Sequence, residues 1–491
     1  MQQYIMKKNI AIIGSGFSAL SASCYLAKKG NSVTIYEKNA NIGGRARQFS
    51  KQGFTFDMGP TWYWMPDVFE RFFADFGKSP SDYYSLIKLN PAYRIYFGKD
   101  DFITIEDTLE KIIVAFENEE PGSSIKLKAF ISKAQDNYNI AIKDLVYRPG
   151  VSPLELITVE TAKKINQFFN TISKEVRSEF SNPKLISILE FPVLFLGAKP
   201  SRTPAFYNFM NYADFGLGTF HPKSGMYSVV DGMVTLATEL GVQIRTNQNV
   251  EKINVENKKA VGITVDGIEI SADVILSGAD YYHTETLLNT KHRQYSEAYW
   301  NKKTLAPSAL LFYVGFDKKI ENVSHHTLFF DVDFEAHSKS IYDIPEWPKN
   351  PLFYASFPTV TESYFAPEGK EAATFLIPLA PNLEDTVELR EKYFEKIISR
   401  LESTTNQELK KYVIFKESYC INDFISDYNS YKGNAYGLAN TLLQTAFLRP
   451  KLKSGKVENL FFTGQLTVPG PGVPPALISG KLAAGLIEKT N

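Results

Sequence analysis

The chain has 491 residues and a formal net charge of zero, with 44% apolar, 22% charged and 14% aromatic residues. This length predicts two or three domains, and the composition is that of a globular protein. Because no Lys/Arg block stands out, we expect no nucleic-acid partner. Cys24 and Cys420 are too few for a disulfide framework or a cysteine zinc site, so we expect no metal and a reducing compartment.

The N-terminal segment MQQYIMKKN is followed by a strand-like run broken by glycine, not by the apolar core of a secretory signal. The longest apolar runs, such as FPVLFLGA at 191–198, are far shorter than a membrane span. We therefore expect neither a secretory signal nor a transmembrane helix. The many aromatic residues fit either a large core or an aromatic-lined cavity for a large apolar ligand.

The strongest local pattern is a strand, a glycine turn and a helix near the N-terminus. Ile10–Ile13 is a short apolar run that predicts a buried parallel strand, and Gly14–Ala19, with the sequence GSGFSA, follows it at once. A helix is predicted over Ser18–Lys29, and Gly30 is suited to end it. A second strand, SVTIY, comes next and ends at Glu37.

This arrangement predicts an adenine dinucleotide site. Gly14 permits the tight turn, and Gly16 has no side chain to hold the backbone away from a pyrophosphate. The helix N-terminus offers free N–H groups to the phosphates, and Glu37 can accept hydrogen bonds from the ribose. The one comparable string, GLGTFH at 216–221, follows no apolar strand. We therefore expect a single dinucleotide site and an enzyme that does not use NAD(P)H as a co-substrate.

A second glycine pair favours FAD as the dinucleotide. Residues 43–47 read GGRAR. Here the sequence resembles the flavin-dependent oxidoreductases that share a dinucleotide-binding fold with amine oxidases. In those proteins a Gly-Gly after the acidic residue, usually followed by a basic residue, packs on the FAD pyrophosphate. Gly43, Gly44 and Arg45 match that pattern, and an ordinary glycine turn beside solvated arginines is the alternative.

The middle of the chain is expected to leave the nucleotide domain and to rejoin it. Helical spacing dominates 104–147, whereas residues 305–380 contain alternating aromatic strands that predict an antiparallel sheet. We predict an α/β fold with a discontinuous Rossmann-like FAD-binding domain. A mixed α+β substrate domain would hold the antiparallel sheet and a helical part that is a candidate for membrane contact. The predicted divisions are 1–100, 216–300 and 416–491 for FAD binding, 101–215 for the helical part and 301–415 for the sheet.

At both ends the sequence resembles the bacterial carotenoid desaturases of the phytoene desaturase type. Their N-terminal pattern combines the glycine turn, the acid and GGR with FDxGPT, which is FDMGPT at 56–61 here. Their C-terminal pattern is an apolar strand, a glycine, PGxGxP, SG and a small-residue helix. Here the segment NLFFTGQLTVPGPGVPPALISGKLAAGLI matches it. The resemblance is moderate at 222–280 and thin in the helical and aromatic segments.

The resemblance implies further FAD contacts. Val250 would place its backbone against the adenine, and Gln465 stands after Gly464, where many relatives have an acid that holds the ribityl chain. The proline-rich segment at 469–480 would form a clamp over the flavin, ahead of a closing helix. The residues expected to bind FAD are Gly14, Gly16, Phe17, Ser18, Glu37, Lys38, Gly43, Gly44, Arg45, Gly59, Pro60, Thr61, Val250, Gly464, Gln465, Val473 and Pro474.

The resemblance also implies the reaction. It implies desaturation of a long acyclic carotenoid, in which a hydride passes to the flavin and a proton leaves the neighbouring carbon. Serial desaturation of phytoene and 3,4-desaturation of a 1-hydroxycarotenoid both stay open, as do oxygen and a quinone as electron acceptor. Because such substrates live in the bilayer, we expect a cytoplasmic enzyme bound peripherally to the inner face of the cell membrane. Helices within about 100–200 are the candidate contact, and ordinary packing within the substrate domain is the alternative.

The sequence assigns no catalytic acid or base. Trp62, Trp64 and Asp214 are expected to contact the substrate, although the tryptophans also suit packing and Asp214, like Asp57, also suits a turn. The histidines, including the pair at 325–326, have no visible partner, which is more typical of structural residues. Two alternatives to a desaturase stay open: a non-redox isoprenoid-binding protein on the same fold, and another flavin-dependent oxidase.

Overall fold

The structure is a computed structural model. It describes residues 7–490, apart from the side chains of residues 156, 195, 196 and 442. Residues 1–6, which begin both the predicted first division and the segment assessed for a secretory signal, lie outside the described residues.

The described residues form strands that fall into five sheets. In chain order the strands are β1 Asn9–Ile13, β2 Ser32–Tyr36, β3 Gln48–Lys51, β4 Phe54–Asp57, β5 Leu86–Lys88, β6 Tyr93–Gly98, β7 Asp101–Ile105, β8 Phe220–Pro222, β9 Gln243–Arg245, β10 Val250–Glu256, β11 Lys259–Val265, β12 Ile268–Ser271, β13 Val274–Ser277, β14 Ser308–Phe316, β15 His326–Phe329, β16 Phe353–Ser356, β17 Glu371–Leu379, β18 Val413–Tyr419 and β19 Leu460–Phe462.

Helices cover these sheets, and short 3-10 turns connect many of the elements. In chain order the α-helices are α1 Phe17–Lys28, α2 Pro66–Ala74, α3 Leu109–Glu119, α4 Ser123–Lys143, α5 Val159–Lys163, α6 Ile165–Phe169, α7 Ile172–Glu179, α8 Pro183–Glu190, α9 Phe209–Phe215, α10 Tyr227–Glu239, α11 Tyr281–Thr286, α12 Glu297–Asn301, α13 Phe334–Tyr342, α14 Val387–Thr405, α15 Ile421–Tyr428 and α16 Val473–Glu488. Among the described residues, none of these helices is both long and apolar enough to cross a bilayer.

A five-stranded parallel sheet forms the nucleotide-binding layer, in the order β19-β13-β1-β2-β9. Its strands come from three separate parts of the chain, so the predicted discontinuous α/β domain is confirmed. Residues 10–13 of β1 are all buried, because helices cover one face and the β10-β11-β12 sheet lies against the other. The predicted strand NLFF is β19, and the predicted first helix is α1, shifted by one residue.

A seven-stranded sheet forms the second layer, in the order β18-β14-β17-β16-β15-β6-β7. The four predicted aromatic strands are β14 to β17, and they pair antiparallel with one another. The sheet is nevertheless mixed, because β6 pairs in parallel with β15. Sequence alternation predicts that a segment is a strand but does not specify its partner, so β6, β7 and β18 were not expected in this sheet.

Two of the predicted domain boundaries fall within paired strands of this sheet. The boundary at 100/101 falls inside the β6-β7 hairpin, and β18 spans the boundary at 415/416. The helical part predicted over 101–215 therefore begins with a strand, and its helices run from α3 to α9. These helices enclose one apolar cluster that continues to Trp64 and to Leu328 on β15.

Successive side chains of β17 point to opposite faces of the seven-stranded sheet, and the two faces have different roles. Phe375 and Ile377 point into a core with Phe394 and Ile397 of α14. The intervening Leu376 and Pro378 line a large cavity. One face of the sheet is therefore ordinary core, and the other is a cavity wall.

Helix α1 and the C-terminal helix α16 cross in close contact at Gly480. A Cβ at this position would lie 2.3 Å from the Ser18 carbonyl oxygen and 2.8 Å from the Ala22 amide nitrogen. Both are backbone atoms, so neither can swing away. Small residues in α16 are therefore required for this helix to pack against the nucleotide-binding turn.

Two glycine substitutions in α16 test this crossing. Gly480→Ala is expected to destabilise the protein by about 1–3 kcal/mol, because the new methyl group forces the two helices apart. Gly485→Ala, in the same helix, meets no atom within 4 Å and is expected to stabilise the protein by about 0.5–1 kcal/mol through helix propensity. Thermal unfolding measures both, and equal melting temperatures for the two variants would contradict this account.

Candidate active site

The centre of the site is the turn between β1 and α1. Gly14 has a φ of +87°, which only glycine adopts without strain, and its amide donates to the Tyr36 carbonyl at 2.8 Å. Gly16 is the N-cap of α1, and a Cβ built there would meet nothing within 4 Å. The turn therefore leaves open space in front of the helix N-terminus, where an anion is favoured.

Glu37 closes one side of this turn. Its carboxylate accepts hydrogen bonds from the Ser15 amide at 3.0 Å and the Ser15 hydroxyl at 2.6 Å, and from the Asn39 amide at 2.9 Å. The side chain is buried but still lines the cavity. Glu37 thus fixes the turn as well as facing the space predicted for a ribose, and its ribose contact stays a prediction.

The glycine pair at Gly43 and Gly44 packs directly on the turn. The Gly43 amide donates to the Ser15 carbonyl at 3.2 Å. A Cβ on Gly44 would lie 3.2 Å from the Cα of Gly16. The GGR segment is therefore a second wall of the same cleft and not a separate surface turn.

Arg45 brings a half-buried positive charge to this wall. One of its terminal nitrogens donates to the Ser430 hydroxyl at 3.2 Å, but the buried Nε has no hydrogen-bond partner. Burial lowers the pKa of Arg45, with Tyr428 and Asp280 opposing that effect. An unpaired buried donor is costly, so its presence beside the cavity fits a site built for an anion such as a phosphate.

The loop after β19 forms the third wall. The Gly464 amide donates to the Ser479 hydroxyl at 3.0 Å. The Gln465 amide satisfies most partners when it donates to the Ala435 carbonyl and accepts from Arg45 and the Gly437 amide. Gln465 is therefore held by the protein, while it also lines the cavity.

The proline-rich segment leads into the first turn of α16, as predicted. The helix begins at Val473, with Pro474 and Pro475 in its first turn, where a missing N–H removes no helical hydrogen bond. Pro471, Gly472 and Val473 line the cavity. The segment is thus an ordered wall of the site, and its position over a flavin ring stays a prediction.

The same cavity extends from these walls into an apolar chamber. Trp62 and Trp64 lie where the two parts meet, with ring centroids 5.2 Å apart. Beyond them the wall is supplied by the 3-10 turn after α8, by α9 and α13, and by the open face of the seven-stranded sheet. The apolar side chains of this chamber are Phe191, Leu194, Met210, Leu328, Phe330, Phe334, Ile341, Leu352, Phe353 and Leu376.

Asp214 lies outside the cavity lining. It is 2% exposed and accepts a hydrogen bond from the Tyr93 hydroxyl at 2.6 Å. Burial raises the pKa of Asp214 to about 8, and the Tyr93 hydrogen bond opposes that effect. Tyr93 in turn packs against Trp62, with centroids 5.2 Å apart. Asp214 therefore supports the tryptophan wall from behind, and its predicted direct contact with substrate is not evident in the cavity lining.

Asp57 has a structural role at the start of α10. Its carboxylate accepts hydrogen bonds from the Met226 amide at 2.8 Å and the Tyr227 amide at 3.3 Å. It therefore caps a distant helix from the end of β4, and it is not the turn residue that the sequence offered as an alternative.

Every residue that we expected to bind the cofactor lines this one cavity, and so do Trp62 and Trp64. Their roles stay predictions, but the fold brings them together from all three parts of the chain. Sequence reasoning missed further lining residues, namely Asp280, His283, Tyr428, Asn429, Tyr436 and the apolar chamber residues above. Asp280 carried a usable signal, because it comes three residues after β13 at the carboxyl edge of the parallel sheet.

Comparison with known families matches residues 17–487 to the family described as flavin containing amine oxidoreductase. The chain belongs to this family. The match spans both domains, and the cleft with its unpaired Arg45 donor suits the phosphate of a flavin nucleotide. The cleft between β1, the GGR segment and the loop after β19 is therefore the candidate site for its flavin.

Curated relatives of this flavin oxidoreductase include carotenoid desaturases. It is 40% identical over 486 residues to the carotenoid 3,4-desaturase of Haloarcula japonica, covering 98% of each chain. It is 31% identical over 491 residues to a 4,4'-diapophytoene desaturase of Staphylococcus haemolyticus, covering 97% of each chain. These full-length likenesses confirm the resemblance to carotenoid desaturases inferred from the terminal motifs.

A solved structure has the same fold. The flavin oxidoreductase is similar to an oxidoreductase from Methanosarcina mazei, with a TM-score of 0.63 and 17% identity. The likeness covers 98% of this chain and 100% of that chain. At this identity the likeness shows that the two chains share their overall fold.

Substitution of Arg45 tests the anion site. Arg45→Met is expected to weaken flavin binding roughly 10- to 100-fold, since a charge-assisted hydrogen bond to the phosphate is lost. Arg45→Lys keeps the charge but not the planar donor geometry, so it should bind with intermediate affinity. Titration of flavin-depleted protein, followed by flavin fluorescence, gives the dissociation constants. Unchanged affinity in Arg45→Met would contradict the assignment.

Proposed function

We propose that this protein is an FAD-dependent desaturase of acyclic carotenoids. The observation that carries the proposal is one cavity that joins a cleft suited to a flavin nucleotide with an apolar chamber. A polar substrate would gain little from such walls, whereas a hydrocarbon chain would bury its whole length against them. The desaturase names of two full-length relatives support the same conclusion.

The lining of the cleft supports FAD over a mononucleotide. It includes Glu37 and Val250 as well as Arg45 and the glycine turn. The Gln248 amide donates to the Glu37 carbonyl at 2.8 Å, which brings the start of β10 close to the acid. A flavin mononucleotide would leave the acid and Val250 without a ligand, while the adenosine half of FAD would occupy them.

When bound, the flavin supplies the hydride acceptor for the reaction. The protein's own residues bind and orient the substrate, and they exclude water from it. The apolar chamber removes water from the reacting carbons and aligns the chain, and Trp62 and Trp64 lie at its junction with the cofactor cleft. The reduced flavin must then be reoxidised, and we propose oxygen or a quinone as the electron acceptor.

Between the two reactions left open, we favour 3,4-desaturation of a 1-hydroxycarotenoid. The relative named as a carotenoid 3,4-desaturase is 40% identical, compared with 31% for the 4,4'-diapophytoene desaturase, at similar coverage.

Expression in pigment-producing cells tests the activity and the choice of substrate. In cells that make 1-hydroxycarotenoids the protein is expected to give a product whose absorption is shifted to the red, because each new double bond lengthens the conjugation. A parallel strain that accumulates phytoene is expected to stay colourless. Red-shifted pigment only in the phytoene strain would select serial desaturation instead.

The purified protein provides the control for this experiment. It should release FAD on denaturation, since the proposal requires that cofactor. Protein that holds no flavin and converts neither pigment would instead match a non-redox isoprenoid-binding protein, and the desaturase proposal would fail.

Membrane association through one exposed apolar surface is the second part of the proposal. We define the apolar patch as Val151, Leu154, Ile157, Phe169 and Leu443, which are 61%, 71%, 70%, 74% and 77% exposed. Single exposed apolar residues are ordinary, but several at this exposure on two segments that the fold joins are typical of a contact surface.

Contacts beneath the patch hold its two chain segments together. The Lys451 ammonium donates to the Gly150 carbonyl at 2.8 Å, and the Tyr207 and Thr445 hydroxyls lie 2.7 Å apart. Phe168 stacks on Phe206 with centroids 4.7 Å apart. Four of the five patch residues therefore lie in the helical part expected to meet the membrane, and Leu443 joins them from the C-terminal part of the chain. Such a surface can insert into the interface without a spanning helix.

Charged substitutions in the patch test membrane binding. The double variant Ile157→Asp, Phe169→Asp is expected to lose most of its binding to liposomes, since each carboxylate opposes insertion. Val387→Asp is the matched control, because Val387 is 76% exposed and lies at the start of α14 in the other layer. Co-flotation with vesicles measures binding, and equal flotation of both variants would exclude the patch as the contact.

A further inference from the structure

Three buried histidines form a chain beside the cavity. His221 is 3% exposed, His325 3% and His326 0%. The ring centroids of His221 and His325 are 4.5 Å apart, and those of His325 and His326 are also 4.5 Å apart. Burial lowers the pKa of all three, so each ring is neutral near pH 7. Apolar residues would fill this space at a lower desolvation cost, so packing alone does not account for three imidazoles.

One end of this chain reaches the cavity wall. His326 Nδ1 lies 2.7 Å from the Tyr354 hydroxyl, which lies 2.7 Å from the Thr61 hydroxyl. Tyr354 and Thr61 both line the cavity. Trp62 stacks on the His326 ring, with centroids 4.0 Å apart and an interplanar angle of 12°. The Tyr354 hydroxyl therefore stands at the junction of the cofactor cleft and the apolar chamber.

The other end of the chain reaches a carboxylate near the surface. His221 Nε2 lies 3.3 Å from Glu362 Oε2, and the Glu362 side chain is 12% exposed. His325 Nδ1 lies 2.7 Å from the hydroxyl of the adjacent Thr361. Exposed residues follow Glu362 directly, including Tyr364 at 49% exposure. A proton that arrives at His221 can therefore be neutralised by Glu362 and released to solvent.

The proposed reaction creates a need for such a path. Desaturation removes one hydrogen as a hydride, which takes its electron pair to the flavin. The other leaves as a proton, and its C–H electron pair becomes the second bond of the C=C. That proton is set free in an apolar chamber without water, where an isolated charge is costly. A base on the cavity wall must accept it.

We propose that Tyr354, His326, His325, His221 and Glu362 form a proton relay that carries this proton from the cavity to the surface. The relay rests on the proposed desaturase function. Tyr354 accepts the substrate proton as its own proton passes to His326 Nδ1, so the tyrosine ends neutral. His326 Nε2 is buried without a hydrogen-bond partner, so it is available to pass a proton to the neighbouring ring after a ring rotation. The proton then moves through His325 and His221 to Glu362.

Kinetics of two variants test the entry to the relay. Tyr354→Phe and His326→Phe keep the cavity shape and the stack against Trp62, and each is expected to lower turnover roughly 100-fold, with KM and bound flavin unchanged. Tyr393→Phe is the matched control. Its hydroxyl is also buried and bonded at 2.7 Å, to the Pro348 carbonyl, in the core around α14. Losses no larger than in the control would overturn the relay.

A spectroscopic readout tests the connection without turnover. In the purified flavoprotein with 15N-labelled histidine, Tyr354→Phe is expected to change the ring-nitrogen signals of His326, His325 and His221, since a change at one end alters the tautomers along the chain. The remaining histidines, His283, His292 and His337, provide reference signals. A change confined to His326 would overturn the relay even if the variant is slow. If the unmodified protein converts no carotenoid, the proposed function fails, and this measurement alone decides whether the histidines are connected.

Discussion

The site depends on the close approach of four glycines to the first turn of α1. A Cβ on Gly44 would lie 3.2 Å from the Gly16 Cα, and one on Gly278 would lie 2.9 Å from the Ala19 Cβ. A Cβ on Gly464 would lie 3.2 Å from the Ser18 hydroxyl oxygen, and one on Gly480 would lie 2.3 Å from the Ser18 carbonyl oxygen. These glycines come from all three parts of the nucleotide domain. Close backbone packing around one helix N-terminus therefore closes the cleft and links the ends of the chain.

Electrostatics divides the cavity into two regions with different solvation. Around the turn, the helix N-terminus and the buried Nε of Arg45 provide donors that an anion satisfies well. Beyond Trp62 and Trp64, the walls are mostly aromatic and aliphatic, although His337 and Tyr354 also line the cavity. Asp214 and His326 both lie behind this tryptophan wall, each bonded to a tyrosine. The chamber thus keeps a mostly apolar surface, while the proton-accepting groups behind it are each hydrogen-bonded to a tyrosine hydroxyl.

Much of the nucleotide domain could be predicted from the sequence, because its determinants are local. Gly14, Gly16 and Glu37 occur at the spacing that a strand-turn-helix unit requires, and the structure has that unit. The mixed second sheet could not be predicted in the same way. The pairing of β6 with β15 joins residues more than two hundred positions apart, and nothing in either segment specifies the other. Asp214 shows the same limit, since a buried carboxyl and a turn carboxyl look alike in sequence.

The sequence by itself determined the cofactor class and the family, because glycine spacing and terminal motifs report constraints within a few residues of each other. It also determined which segments are strands, through their alternation. The tertiary structure decided which faces of those strands became core and which became cavity wall, since that depends on whether α14 or empty space lies opposite. It also decided that Thr61, Tyr354 and His326 adjoin, because hydrogen bonds between distant segments form only once the sheets have paired.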